Sequence, residues 1–310
     1  MKKTRRMRRT IKTKRMDNKT LKLQCSPKQK EKQNGFSCYT KDDLKYLRNL
    51  WNQSLGSNAE NDARYIRATK PHDIYKSLRT RLIEKCGDNS KESCWLNQEF
   101  IPEKVRKQIK EYAFSPESPK EWKKNPNEWL SSTDIIRVME QYEKAYKCFE
   151  FIGPTPIDFD RVIKGECVLE ELCHFQIKEK IKKGIHKIGI IFNTDPHDKP
   201  GQHWISMFIN IKKGDIFYFD STGEPCGSEI LAFVERVKKQ GKLINPPINF
   251  VFDQNYPIEH QYGNTECGIY SLFFIVHMLE DKITKHYLKT HILKDSYMQK
   301  FRKIYFNEEL

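Results

Sequence analysis

The chain has 310 residues, 37% hydrophobic and 31% charged, enough for one large domain or two modest ones around a sizeable core. No apolar run approaches the ~18 residues that span a bilayer, which excludes a transmembrane protein, and 18 Phe, 14 Tyr and 5 Trp exclude wholesale disorder. The net charge of +15 sits at one end: residues 1–33 hold 14 Lys/Arg against Asp17 and Glu31, whereas the remainder holds 42 bases and 39 acids.

The first 33 residues therefore read as a basic, disordered tail. Such a segment serves as a solubilising or import signal, or as a non-specific, salt-sensitive nucleic-acid anchor. A first structured region, expected over 36–118 and mainly helical, opens with Thr40 and Asp43 as a capping box, followed by Leu44, Leu47, Leu50 and Trp51 at helical spacing. Ile74, Leu78 and Leu82 predict a second helix ending near Cys86-Gly87. The stretch 116–129 carries three prolines and reads as a connector. The second domain, 129–310, begins with a helix capped by Ser131 or Ser132 and striped by Ile135, Val138, Met139, Tyr142 and Tyr146. Strands are expected at 187–193, 203–211, 215–221 and 248–254, with a helix over 229–240. Residues 267–280 are apolar nearly all round, which suits a helix buried in a core. The pattern predicts an α+β fold with a mostly antiparallel sheet.

Nine cysteines, an odd number, without an apolar secretory segment ahead of them, favour a reducing, intracellular setting over a disulfide framework. Cys86 and Cys94, with Cys167, Cys173 and His174, make a zinc site only on paper because no C-x2-C pair exists. His286 and His291, five apart, are expected to be exposed. No metal or cofactor is expected.

Cys267 is the leading candidate for chemistry. It lies between the turn-prone QYGNTE and the first turn of the buried helix, where unpaired N–H groups and the macrodipole favour a thiolate. The same placement also fits a small cysteine capping a core helix. A thiolate nucleophile needs a base and an orienter. His203 opens one strand and Asp220 ends the next, with a hairpin loop at 212–215 between them. If Ile209 pairs with Ile216, Asp220 faces Ile205, the same-face neighbour of His203; pairing Ile211 with Ile216 instead slides the two groups further apart on one face, and a one-residue slip would separate them. Gln261, six residues before Cys267, offers an amide to a developing oxyanion. Cys226, close after Asp220, reads as a loop cysteine.

The motifs G-Q-H-W (201–204), Y-F-D-S (218–221) and H-Q-Y-G-N-T-E-C-G-I-Y (260–270) together resemble the SUMO-protease and adenovirus-proteinase group of cysteine peptidases. The order His, Asp, Gln, Cys and its spacings match, and W-L-S-S-T-D-I-I (129–136) resembles the Trp-Leu-Asn-Asp opening of the SUMO proteases. Two departures stand out: Ser131-Ser132 replaces Asn-Asp, and Glu266 replaces the Asp before the cysteine. C-Y-T-K-D-D-L (38–44), C-W-L-N-Q (94–98) and F-I-G-P-T-P-I-D-F (151–159) are similar to the proteases of large nucleocytoplasmic DNA viruses.

The resemblance implies a cysteine endopeptidase with Cys267 as nucleophile, His203 as base and acid, Asp220 as orienter and Gln261 in the oxyanion hole. It implies that Trp129 and Trp204 flank a narrow substrate tunnel, so that cleavage falls after Gly-Gly-type sites of viral structural precursors during virion maturation. Deconjugation of SUMO or another ubiquitin-like protein is the alternative use of the same chemistry. The expected partners are protein substrates and, through the tail, nucleic acid, with no membrane; the expected setting is the virion and the host cytoplasm.

Overall fold

The computed structural model describes residues 25–28, 36–87 and 92–307. Most of the expected basic tail lies outside the described residues. At 25–28 the tail boundary is corrected: Cys25 is buried, bridges to Phe114, and is followed by Ser26, whose N–H donates to the Ala113 carbonyl at 3.0 Å. A lone cysteine among lysines carries no periodicity, so its burial was invisible to a pattern reading.

The accessory region is built from α1 (Lys41–Gln53), α2 (Pro71–Cys86) and α3 (Glu103–Ala113). The capping box at α1 forms as expected: the Thr40 hydroxyl accepts from the Asp43 N–H, and Asp43 accepts from the Thr40 N–H. Leu44, Leu47, Ile74, Leu78 and Leu82 turn inward around Trp95, which stacks on Tyr39 with centroids 5.5 Å apart.

The reading of the cysteines as unbridged is also corrected. Cys25–Cys38, Cys86–Cys94 and Cys167–Cys173 are disulfide pairs, with Cα atoms 5.0, 5.9 and 6.3 Å apart. The folded turns bring these pairs together, and spacing alone does not show it. Cys148, Cys226 and Cys267 remain unbridged.

The second region opens with α4 (Ser132–Ala145), capped by Ser131 with Asp134 at its N3 position. It continues through β1 (Phe149–Pro156), the ribbon β2 (Val162–Ile163) and β3 (Glu166–Cys167), α5 (Glu170–Cys173), α6 (Ile177–Lys182) and β4 (Lys187–Asn193). There follow β5 (Trp204–Asn210), β6 (Asp215–Phe219), α7 (Ser228–Lys242), β7 (Val251–Gln254), α8 (Cys267–Leu279), α9 (Lys285–Leu288) and α10 (Asp295–Tyr305). The main sheet has the order β1-β4-β5-β6-β7. Its centre, β4-β5-β6, is antiparallel, as is the β2-β3 ribbon; the edge strands β1 and β7 join parallel. Strand β1 was not anticipated, because Gly153, Pro154 and Pro156 break the alternation that marks a strand.

Both faces of the sheet are covered. On β5 and β6, Trp204, Phe208, Phe217 and Phe219 face α8, whereas Ile205, Met207, Ile209, Ile216 and Tyr218 pack toward α7. A strand buried on both faces reads as a continuous apolar run, which is why WISMFIN shows no polar face. Phe274 of α8 stacks on Phe219 at 5.0 Å. Gly189 lets the helix approach closely, since a Cβ there would lie 2.6 Å from Ile275. Each large side chain so buried contributes roughly 1.5–3 kcal/mol. The two regions join through Gln141 Nε2 on the Phe114 carbonyl (2.8 Å) and a strand-like exchange in which Ser118 N–H donates to Asn307 O and Asn307 N–H to Pro116 O. Among the described residues no helix is long and apolar enough to cross a membrane.

Candidate active site

The hairpin of β5 and β6 pairs Ile209 with Ile216 and Ser206 with Phe219, the register that sets Asp220 on the diagonal from His203. The turn at 211–214 closes with Gly214 at φ +63°, where an added Cβ would meet the Asn249 carbonyl at 2.9 Å. His203 Nε2 lies 2.7 Å from Asp220 Oδ1. The His203 carbonyl accepts from Thr194 N–H at 3.0 Å, fixing the residue at the mouth of the strand. With Nε2 committed to the carboxylate, Nδ1 is the ring nitrogen left to serve Cys267, whose charge also acts on the imidazole. Burial disfavours the imidazolium, but hydrogen bonds with Asp220 and Cys267 and their negative charges outweigh it, and His203 is pushed up to about 9.

Asp220 is held by more than its histidine. Its Oδ1 also accepts from the N–H and hydroxyl of Thr222, at 2.9 and 2.8 Å. Its backbone is clasped by Asn255, which is fully buried: Oδ1 accepts from the Asp220 N–H (2.9 Å), while Nδ2 donates to the carbonyls of Asp220 (2.7 Å) and Ile258 (2.9 Å). One amide thus continues the β6-β7 pairing past the end of β7 and positions the carboxylate. Asn255 was missed in the sequence, where an Asn in a loop is indistinguishable from a turn former.

Cys267 is the first residue of α8, whose N-cap, Glu266, makes no capping bond with its side chain. The Glu266 carboxylate turns instead to the Thr265 N–H and hydroxyl and to Gln299 Nε2. The first-turn N–H groups of α8, that of Cys267 among them, therefore stay open for a developing oxyanion. Gln261 is buried and its amide is oriented by its partners: Oε1 accepts from the Ser221 hydroxyl (2.8 Å), and Nε2 donates to the Gly263 carbonyl (2.9 Å), leaving the second Nε2 hydrogen for the substrate. Both His260 and Gln261 donate backbone N–H groups to the Ser221 carbonyl at 2.8 Å, so the loop that carries Gln261 is tied directly to the residue after Asp220. Burial drives His260 down to about 4, which leaves it neutral and separates it from His203.

The two tryptophans occupy different surroundings. Trp129 is 37% exposed and Trp204 only 7%, with its indole N–H donated to the Leu130 carbonyl at 2.9 Å. Leu130 packs on Gly268, where a Cβ would lie 3.0 Å from it. Trp129 thus stands one residue from Leu130, which is seated against Gly268, the neighbour of Cys267. Arg302 of α10 holds this arrangement from below. Its guanidinium lies 4.6 Å over Trp122 and donates to the carbonyls of Asn127, Glu128 and Thr265, linking the approach to Trp129 with the approach to Cys267. No sequence motif marked it.

The remaining candidates stay apart from this centre. Cys226 is buried toward α7, and burial pushes its thiol up to about 12. His286 and His291 are exposed. Cys86 and Cys94 belong to the accessory region, so they do not join Cys167, Cys173 and His174 in one metal site.

Residues 134–310 match the model of the Ulp1 protease family, C-terminal catalytic domain. A chain of Acanthamoeba polyphaga mimivirus described as a thiol protease is 30% identical over 269 residues, covering 82% of this chain and 84% of its own length. The SUMO-1 cysteine protease of an African swine fever virus isolate is 35% identical over 173 residues, 52% of this chain and 60% of that relative. The crystal structure of the African swine fever virus protease has the same fold, with TM-score 0.65 at 22% identity over 93% of this chain and 97% of that one.

Proposed function

This chain belongs to the Ulp1 protease family and is a cysteine protease, and from that premise we propose that it is an endopeptidase of virion maturation, cutting structural precursors after Gly-Gly-type sites. The observation that carries the specificity is the seating of Trp129: half-open to solvent, tied through Leu130 to the indole of Trp204 and to Gly268 beside the nucleophile. An indole over the cleft admits an extended backbone and leaves little room for side chains ahead of the scissile bond, which selects glycine. The viral relatives support the choice of precursor processing. The SUMO-1 protease name of one of them supports the second reading, removal of a ubiquitin-like modifier, which uses the same acyl transfer.

Mass spectrometry of products from candidate virion proteins, incubated beside a SUMO conjugate, separates the two. The expected result is new termini after Gly-Gly or after a Gly preceded by a small residue. In matched peptides, Leu in place of either glycine should lower kcat/KM by roughly a hundredfold or more, since a misplaced scissile bond loses that much. Trp129→Ala should narrow that gap while lowering the overall rate. Efficient wild-type cutting after Leu-Leu or Phe-Arg would refute the glycine channel.

We further propose that the tail localises the enzyme on nucleic acid in the virion and in the host cytoplasm. A segment with 14 bases and two acids displaces several counterions, so binding should weaken steeply with salt. Removing residues 1–24, which spares the buried Cys25, should leave peptide cleavage within about twofold while weakening DNA binding at least tenfold at low salt. Undiminished DNA binding by the truncated chain would end the anchoring role.

A further inference from the structure

The ribbon β2-β3 and helix α5 bring Cys167, Cys173 and His174 together on the α7 side of the molecule, away from the catalytic centre. One ligand atom from each lies within 4.8 Å of the others, and among the described residues this is the one such group. Cys167 Sγ is 3.8 Å from His174 Nε2, and Glu170 Oε2 is 3.1 Å from the same nitrogen. From these positions we infer that the reduced chain holds a zinc ion between the Cys167 and Cys173 thiolates and His174 Nε2, with the Glu170 carboxylate in reach of the fourth position. Two sulfurs, an imidazole and a hard oxygen or water form a tetrahedral donor set suited to zinc.

The local fold preorganises the donors. Lys164 and Gly165, at φ +53° and +91°, close the ribbon tightly and return Cys167 toward α5. Glu170 and His174 lie four residues apart, one helical turn, so their side chains share a face. The Cys167 N–H donates to Glu170 Oε1 at 3.0 Å. From behind, Leu172 is fully buried, and Arg236 donates to its carbonyl at 2.7 Å while forming a two-pronged pair with Asp160. Among the described residues only this cysteine pair combines partial exposure with a histidine. Cys25 and Cys38 are buried, and Cys86 with Cys94 faces the amide of Gln98, so those two pairs serve as internal controls.

The Cys167–Cys173 disulfide and the zinc thiolate are alternative states of one site. A phosphine reductant converts the first to the second: phosphine, water and the disulfide give the phosphine oxide and two thiols, and zinc binding then releases their two protons. In the metal-bound state the ion replaces the disulfide as the staple between ribbon and helix.

The test uses the full chain carrying Cys267→Ala, so that the catalytic thiol cannot ligate metal, reduced with a phosphine and titrated with zinc against a chromophoric chelator. One zinc per chain is expected, retained in Cys86→Ser/Cys94→Ser and lost in Cys173→Ser. His174→Ala, a change at an exposed side chain that leaves folding untouched, should likewise lose it, and Glu170→Gln should weaken it by roughly 10–100-fold. Cobalt in place of zinc should give a sulfur-to-metal charge-transfer band that disappears with Cys173→Ser. The proposal is overturned if the reduced chain takes up no stoichiometric zinc, or if uptake is unchanged in both Cys173→Ser and His174→Ala.

Discussion

Cys267→Ala should reduce peptide cleavage to background, a loss of at least ~10⁴-fold in kcat, because the group that forms the acyl-enzyme is gone and no neighbour replaces it. The expectation rests on what surrounds the thiol. Cys148 and Cys226 are the other unbridged cysteines among the described residues. Cys226 is buried toward the opposite face of the sheet, and its thiol is pushed up to about 12, so at neutral pH it is a thiol and a poor nucleophile. Stability should change by no more than about 1 kcal/mol, since one sulfur is removed from a position whose backbone is fixed by the helix. The measurement pairs a cleavage assay with thermal unfolding and with limiting alkylation followed by peptide mapping. Cys267 should be labelled first, and Cys226→Ser should remain fully active. More than about one per cent of wild-type activity in folded Cys267→Ala would remove Cys267 from the mechanism.

The placement of the candidate catalytic residues was largely legible before the structure, because each is tied to a local feature that sequence displays. The all-round apolar run after Cys267 marks a buried helix with the thiol at its start, and α8 begins at that residue. Two same-face registers were open to 203–211 and 215–221, with Ile209 or Ile211 opposite Ile216, and the one formed, Ile209 with Ile216, is the one that brings His203 to Asp220. Gln261 was singled out only in combination with the motifs around His203, Asp220 and Cys267, since a Gln in a loop says nothing alone. These are short-range signals, and the chain keeps them because helix termini and hairpins are set by neighbours in sequence.

What was not legible is what long-range folding creates. Asn255 acts on Asp220 across 35 residues of sequence, and Arg302 reaches back 174 residues to Glu128. Neither residue type is diagnostic, and neither position shows a period. The disulfides escaped for a related reason: an odd cysteine count argues against complete pairing, not against three pairs with three thiols left over. Glu266 is instructive in another way. As a departure from the Asp expected before the nucleophile it looked like a mismatch. In the structure its longer side chain reaches Gln299 of α10 and leaves the first turn of α8 uncapped, which is what an oxyanion hole made of backbone N–H groups requires.

Asp220→Asn should move the alkaline limb of kcat/KM from about 9 down toward the ordinary histidine range near 6.5. In the native site burial opposes the charged ring, and the hydrogen bond and charge of Asp220, with those of Cys267, reverse the balance and raise His203 to about 9. The protonated ring pairs with the thiolate and later gives its proton to the leaving amine. As pH rises through about 9 that proton is lost and the rate falls. Removing the carboxylate charge brings the loss to lower pH. At pH 8 a ring titrating at 9 is about nine-tenths protonated and one at 6.5 only about 3%, so this effect alone lowers the rate roughly thirtyfold; at pH 6 the two differ by less than about twofold. The wild-type to variant ratio should therefore climb between pH 6 and 8. Stability follows the same sign: with its pKa raised in the folded chain, His203 stabilises the fold fully below about 6.5, and that contribution is lost as pH rises through about 9. Asp220→Asn should flatten this segment of the pH–Tm curve. A ratio constant across the range would show that Asp220 orients the ring by geometry alone, and the imidazolium would then owe its stability to Cys267.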